Sequence, residues 1–331
     1  LPHGINPVPT HMEAPEHDYV LKAGDSCKNF GQFIQEAQQT PKFQEFLRLM
    51  DPTISLIKQL AEQNNITLTD IYSYQRLFDT LISDYCEDVA FPVNITYGSK
   101  EWNDLSFFSN WIISYFYTGP TKNLQVSAYN LFVRFFEQLK GKLKGSFKKD
   151  FVMYSAHDDT LLPILATLGI VTPDCLMDNY KGLGNNSDCH YPGYSANIII
   201  ELFNDTSRPY IKFRYNGVYV DVCKNSMYTC EVDTFEELVF KNLKGYSFEK
   251  FQQDCGIVQH SAKYQQRVME IKRLDSSENS ESEKIKYLGL LIGFAAICLG
   301  ELGILVFIIL RKRQQPSSKD QTKISSLHSA S

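Results

Sequence analysis

The stretch Phe151-Val-Met-Tyr-Ser-Ala-His-Asp-Asp-Thr160 decides how the chain is read. It opens on four apolar residues, Phe151 to Tyr154, the mark of a buried strand. The run breaks at Ser155-Ala156-His157-Asp158. From Thr160 to Ile170 the pattern predicts a helix, with Asp158 or Asp159 as N-cap and Pro163 in its first turn. His157 and Asp158 are therefore expected at the carboxyl end of a strand, beside a helix amino terminus. Open α/β sheets bind ligands at that place, and helix amides favour an anion. An imidazole that can hold an oxyanion would stand next to a carboxyl that can pass a proton.

Downstream, residues 171–193 read as loop, with Pro173, Gly182, Gly184, Pro192 and Gly193. Ser195 to Phe203 is a β-branched run and predicts a strand. Pro209 to Val222 alternates and turns at Asn216-Gly217, a strong hairpin signal. A helix with an acidic first turn starts at Asp233. Upstream, residues 27–149 are helical in pattern. Ile71, Tyr74, Leu77, Phe78, Leu81, Ile82 and Tyr85 form one apolar stripe, and Phe43, Phe46, Leu47 and Met50 form another. Trp111, Ile112, Tyr115 and Phe116, and then Leu131 to Leu139, continue the theme. These aromatic stripes read as core packing. The basic end Lys140 to Gly145 reads as lysines complementing a helix dipole, closed by glycine. Arg76 and Arg134 lie on amphipathic helices and read as surface or ion-pair residues. Residues 1–26 are a Pro-rich segment whose His3, His11 and His17 read as surface residues. Helices first, strands last and one strand-to-helix passage between them predict a mixed α/β protein with a helical subdomain.

The chain has 331 residues, 43% of them apolar, and a net charge of −5. That suffices for a sizeable core and argues against nucleic acid as the main partner. None of the eight cysteines forms a C-x-x-C pair, so zinc is not expected, nor is another metal or a cofactor. Sequons stand at Asn65, Asn94, Asn185 and Asn204. All four lie on the cysteine-rich side of an apolar segment, Tyr287 to Leu310, followed at once by Arg311-Lys312-Arg313. Such a segment predicts a transmembrane helix with a basic cytosolic stop. The expectation is a single-pass type I membrane glycoprotein, its outer part in an oxidising lumen with disulfides. Glu301 lies inside the span as a tolerated carboxyl. The chain begins at Leu1, with no signal-peptide pattern, and its amino end is read as processed or truncated.

At Tyr154-Ser-Ala-His-Asp158 the sequence resembles the histidine acid phosphatases, the lysosomal and prostatic type, within the phosphoglycerate-mutase-like superfamily. Asn6-Pro-Val-Pro-Thr-His11 followed by Cys27, and Cys86 followed by the Asn94 sequon, carry the likeness further. The resemblance implies an α/β core, partial here, over 150–258 and a helical subdomain over 27–149. A stalk over 259–286, the span over 287–310 and a tail over 311–331 would follow. It implies the bridges Cys27–Cys255, Cys86–Cys189 and Cys223–Cys230, with Cys175 left over. It implies hydrolysis of phosphomonoesters through a phosphohistidine, without a metal. Asp158 would protonate the leaving alcohol and His157 would contact phosphate. The nucleophile of this family sits in an Arg-His-Gly-x-Arg-x-Pro motif. Leu1-Pro-His-Gly4 lacks the arginines and stands in the wrong place, so the nucleophile segment is expected to be missing from this chain. Asp159 stands where the family usually has Thr. The alternative is a non-catalytic, membrane-anchored relative with a binding role. Lysosome or endosome, cell surface, and homodimer are left open.

Overall fold

A computed structural model describes residues 10–89, 95–184, 189–204, 208–257 and 304–311. It divides into two compact units: Leu1–Arg134, Ala156–Tyr194 and Val239–Gln266 in one, Phe135–Ser155, Ser195–Leu238 and Arg267–Ser331 in the other.

The first unit is helical because its sequence repeats an apolar residue at every turn and supplies caps. It holds α1 (Ala23–Ser26), α2 (Phe30–Gln38), α3 (Pro41–Leu49), α4 (Asp51–Gln63), α5 (Ile71–Cys86), α6 (Lys100–Thr118) and the first part of α7 (Thr121–Leu143). Thr40 accepts the Phe43 N–H ahead of Pro41 and starts α3. Asp70 and Ser73 form a reciprocal capping box at the head of α5, and Ser99 caps α6. Helix α6 is the spine. It packs against α2, α4 and α5, and against α8 (Asp158–Thr167) and α9 (Pro173–Tyr180). Its Trp111 is fully buried, stacked on Phe46 with ring centroids 3.9 Å apart and flanked by Phe43 and Tyr115. Each such side chain contributes roughly 1.5–3 kcal/mol through apolar burial. The indole N–H donates to the Pro173 carbonyl at 2.9 Å, which ties α9 to the spine.

Helix α9 lies in the stretch expected to be loop. Its signal was present: Thr172 caps the helix, accepting the Cys175 N–H, and Pro173 fills the first helical position. The unit closes with the end of α10 (Val232–Asn242) and with α11 (Phe248–Asp254), which Ser247 caps.

The second unit is a sheet. Strands β1 (Phe151–Ala156), β2 (Asn197–Phe203), β3 (Tyr210–Tyr215), β4 (Val218–Val220), β5 (Cys230–Glu231) and β6 (Ile304–Arg311) follow in chain order. Their spatial order is β1-β6-β2-β3-β4, with β5 on β3. In β2 and β3 alternate residues are buried: Ile198, Ile200 and Leu202 share a face with Ile211, Phe213 and Tyr215. On the other face Arg214 pairs with Glu201 at 3.1 Å, and Tyr219 donates to the same carboxylate at 3.0 Å. Asn216 and Gly217 both take positive φ, +48° and +82°, as a two-residue type I′ hairpin requires.

Three expectations need correction. Strand β1 is not buried along its length: Phe151 and Met153 are half exposed, and burial is complete only at Ala156. The apolar run predicts two covered faces, and one of them is open. Second, residues 287–303 of the expected span lie outside the described residues, and Ile304–Arg311 is a strand rather than the end of a helix. It lies parallel to β2, with Asn197 opposite Leu305 and Phe203 opposite Arg311. A continuous apolar run suits an interior parallel strand. Among the described residues no helix is long and apolar enough to cross a membrane.

The third concerns sulfur. Cys27 is bonded to Cys255 and Cys223 to Cys230. Cys189, however, is bonded to Cys175, not to Cys86. Cys175 sits in the first turn of α9 with its Cα 6.2 Å from that of Cys189, within bridging range. Cys86 is the last residue of α5, exposed and free. Asn65 and Asn204 are exposed; Asn94 and Asn185 lie outside the described residues. Peptide mapping without reductant should recover Cys175 linked to Cys189, with Cys86 alkylated. A peptide joining Cys86 to Cys189 would refute this pairing.

Candidate active site

His157 follows the last residue of β1 and is the N-cap of α8, with extended backbone at φ −108° and ψ 174°. Its carbonyl accepts the N–H groups of Thr160 and Leu161 at 3.1 and 3.2 Å. Its imidazole makes no cap hydrogen bond, and the residue is exposed. The N-cap thus precedes both aspartates, and neither of them caps the helix. Both lie in its first turn, where the helix dipole favours negative charge. Pro163 falls inside the helix, not in its first turn.

Asp158 is half-buried and held at both oxygens. Oδ1 accepts the N–H of Asp159 at 2.9 Å, and Oδ2 accepts the hydroxyl of Tyr191. Tyr191 stands two residues past Cys189, and its ring is half-buried. Its hydroxyl end lies in a desolvated place beside Asp158, and burial first, then that charge, pushes the phenol well above its ordinary range. Tyr194, further along the same loop, hydrogen-bonds Ser83 of α5 and lies near Asp79.

Asp159 has a different setting. Lys22 Nζ is 3.6 Å from its Oδ2 and 3.8 Å from Asp25, and the Tyr117 hydroxyl hydrogen-bonds it. Burial raises its carboxyl above the usual aspartate range. Lys22 and His157 oppose the shift, while Asp158 and Asp25 add to it. Tyr117 is pushed well above the ordinary phenol range, by burial first and then by Asp159 and Asp25. A small cleft here is lined by Lys22, Gly24, Asp25, Tyr117, Ser127 and Asp159. A methyl group at Gly24 would come within 2.9 Å of the Tyr117 ring, so glycine lets that ring close over the carboxylate. Thr160 fixes the neighbouring chain by donating to the Leu21 carbonyl at 2.7 Å.

The two residues singled out in the sequence, His157 and Asp158, are thus adjacent at the head of α8. Tyr191, Lys22 and Tyr117 were missed: each is remote in sequence, and no motif marks it. His11, His17 and Arg76 are exposed, and Arg134 is half-buried on α7. Among the described residues no group of three His, Cys, Asp or Glu side chains could hold a metal ion. A strand-to-helix turn that presents an imidazole and a carboxyl side by side suits handling of an anion and its proton.

Residues 10–216 match the histidine phosphatase superfamily, branch 2. The chain belongs to that superfamily. It is 25% identical over 264 residues to a Caenorhabditis elegans protein described as "Putative acid phosphatase 5", covering 76% of this chain and 56% of the relative. It is 24% identical over 196 residues to human "2-phosphoxylose phosphatase 1", covering 56% of this chain and 34% of that protein. The alignments thus span about half and about a third of these curated relatives. The domain is a mixed α/β histidine phosphatase domain. Its three bridges belong to the chemistry of the secretory pathway.

The Asp159 environment makes a prediction with a definite sign. A carboxyl whose folded pKa is raised contributes stability below its unfolded value, and that contribution is lost as pH rises through the folded value. Asp159→Asn, which cannot ionise, should therefore gain stability relative to the parent as pH rises from 3 to 7 in denaturant titrations. A difference that is constant, or that shrinks with pH, would show that Lys22 and Tyr117 outweigh burial.

Proposed function

We propose that this domain supplies the acid side of phosphomonoester hydrolysis in an acid phosphatase. The observation that carries the reading is the Asp158 carboxyl, held at both oxygens beside the exposed His157 at the head of α8. Asp158 hands a proton to the leaving alcohol as a positioned general acid. His157 and the amides of the first helical turn face the phosphoryl oxygens and offset their charge. A nucleophilic histidine with flanking arginines attacks phosphorus, forming a phosphohistidine that water then cleaves. That histidine comes from outside this sequence, which contains no Arg-His-Gly run. The same absence favours a second reading, a phosphatase-like ectodomain that binds its ligand without turnover.

Turnover of p-nitrophenyl phosphate by the 331-residue chain should stay near background; robust turnover would show that a nucleophile is present in it. In a form that does turn over, Asp158→Asn should lower kcat for a poor, alkyl leaving group by about 10²–10⁴. The loss should be far smaller for p-nitrophenolate, which needs no proton. Equal losses for both would remove the general-acid role.

A further inference from the structure

We propose that Tyr191, two residues past the Cys175–Cys189 bridge, is a positioning residue that fixes the orientation of the Asp158 carboxyl. The proposal rests on the reading of Asp158 as proton donor and adds how its aim is set. A carboxylate terminates a broad, two-fold torsion, so one hydrogen bond leaves its plane free to swing. Here two donors hold separate oxygens: the Asp159 N–H on Oδ1 and the Tyr191 hydroxyl on Oδ2. A carboxylate has about four acceptor positions, so places remain for the substrate's proton. A tyrosine hydroxyl can also turn and accept, so it can stay in contact when Asp158 is protonated.

Tyr191 is itself held. Cys189, two residues earlier, is bonded to Cys175 in the first turn of α9, and its carbonyl accepts the Asn179 side-chain amide at 2.8 Å. Helix α9 is in turn fixed to α6 through Trp111. Pro192, the next residue, is buried. The mechanical path from the spine to the carboxyl is therefore short: Trp111, Pro173, Cys175, Cys189, Tyr191, Asp158. The charged and titratable groups around the pair are His157 and Asp159 on α8, Tyr194 three residues past Tyr191, Asp79 and Cys86 on α5, and Lys22 and Asp25 at α1. Replacing Tyr191 by Phe alters none of them. It removes only the hydroxyl that donates to Asp158.

The test follows the Asp158 carboxyl directly, at one fixed neutral pH, in the full chain labelled with [4-¹³C]aspartate. Asp158→Asn assigns the resonance. Tyr191→Phe should displace its chemical shift, and Tyr194→Phe should leave it in place. Replacing Cys175 and Cys189 together by Ser should displace it in the same direction as Tyr191→Phe. Incorporating 3-fluorotyrosine at position 191 keeps the hydroxyl as a stronger donor within the native fold, and should displace it the opposite way. A resonance unmoved by both changes at 191, or moved equally by Tyr194→Phe, overturns the proposal. No effect from the cysteine pair removes the bridge from it. If Asp158 is not the general acid, the leaving-group comparison fails while these carboxyl shifts persist. If Tyr191 does not position it, the reverse is seen.

Discussion

One hydrogen bond inside the helical unit carries more than its own energy. The Trp111 indole, fully buried on α6, donates to the Pro173 carbonyl at the start of α9. A buried indole N–H left unpaired would cost about 1–3 kcal/mol, so the spine and α9 have one relative placement. The same spine packs on α8, which bears Asp158. Both sources of restraint on that carboxyl, its own helix and the loop beyond α9, therefore descend from a single helix whose apolar residues are almost entirely covered. The Cys27–Cys255 bridge spans a sequence separation of 228 and joins the first helices of the unit to its last. Asn29 adds a hydrogen bond to the Asp254 carbonyl at 2.8 Å beside it. What the unit lacks in strands it makes up by cross-linking its ends.

The two neighbouring aspartates show how one residue of separation changes chemistry. Asp158 has one face open and receives two neutral donors. Asp159 turns the other way, against a lysine and a phenol, and is largely enclosed. A helix advances about 100° per residue, which is enough to send adjacent side chains into different surroundings. Proton transfer to a substrate suits the first setting and not the second. The enclosed carboxyl of Asp159 has a counter-charge in Lys22.

Much of this was legible in the sequence, because the signals were local. The strand-to-helix passage at 151–167, the hairpin at Asn216-Gly217 and the stripes of α3, α5 and α6 each follow from a period or a turn dipeptide. The place of His157 and Asp158 between strand and helix was readable because that turn is local. What failed was non-local. The exposure of Phe151 and Met153 depends on what lies against β1, and an apolar run says nothing of that. The partner of Cys189 depended on where α9 begins, and α9 itself was lost because Gly and Pro nearby spoke for a loop. The apolar run at 304–311 fits a membrane helix and an interior strand equally well by composition. Tyr191, Lys22 and Tyr117 reach the aspartates only through tertiary packing, and a single sequence holds no sign of that.

The Cys175–Cys189 bridge ties the chain that carries Tyr191 to the first turn of α9 by a covalent link. A thiol reductant can open that link, whereas the Asn179 hydrogen bond to the Cys189 carbonyl is indifferent to it. The tether nearest to Asp158 therefore has one strand that answers to redox conditions and one that does not.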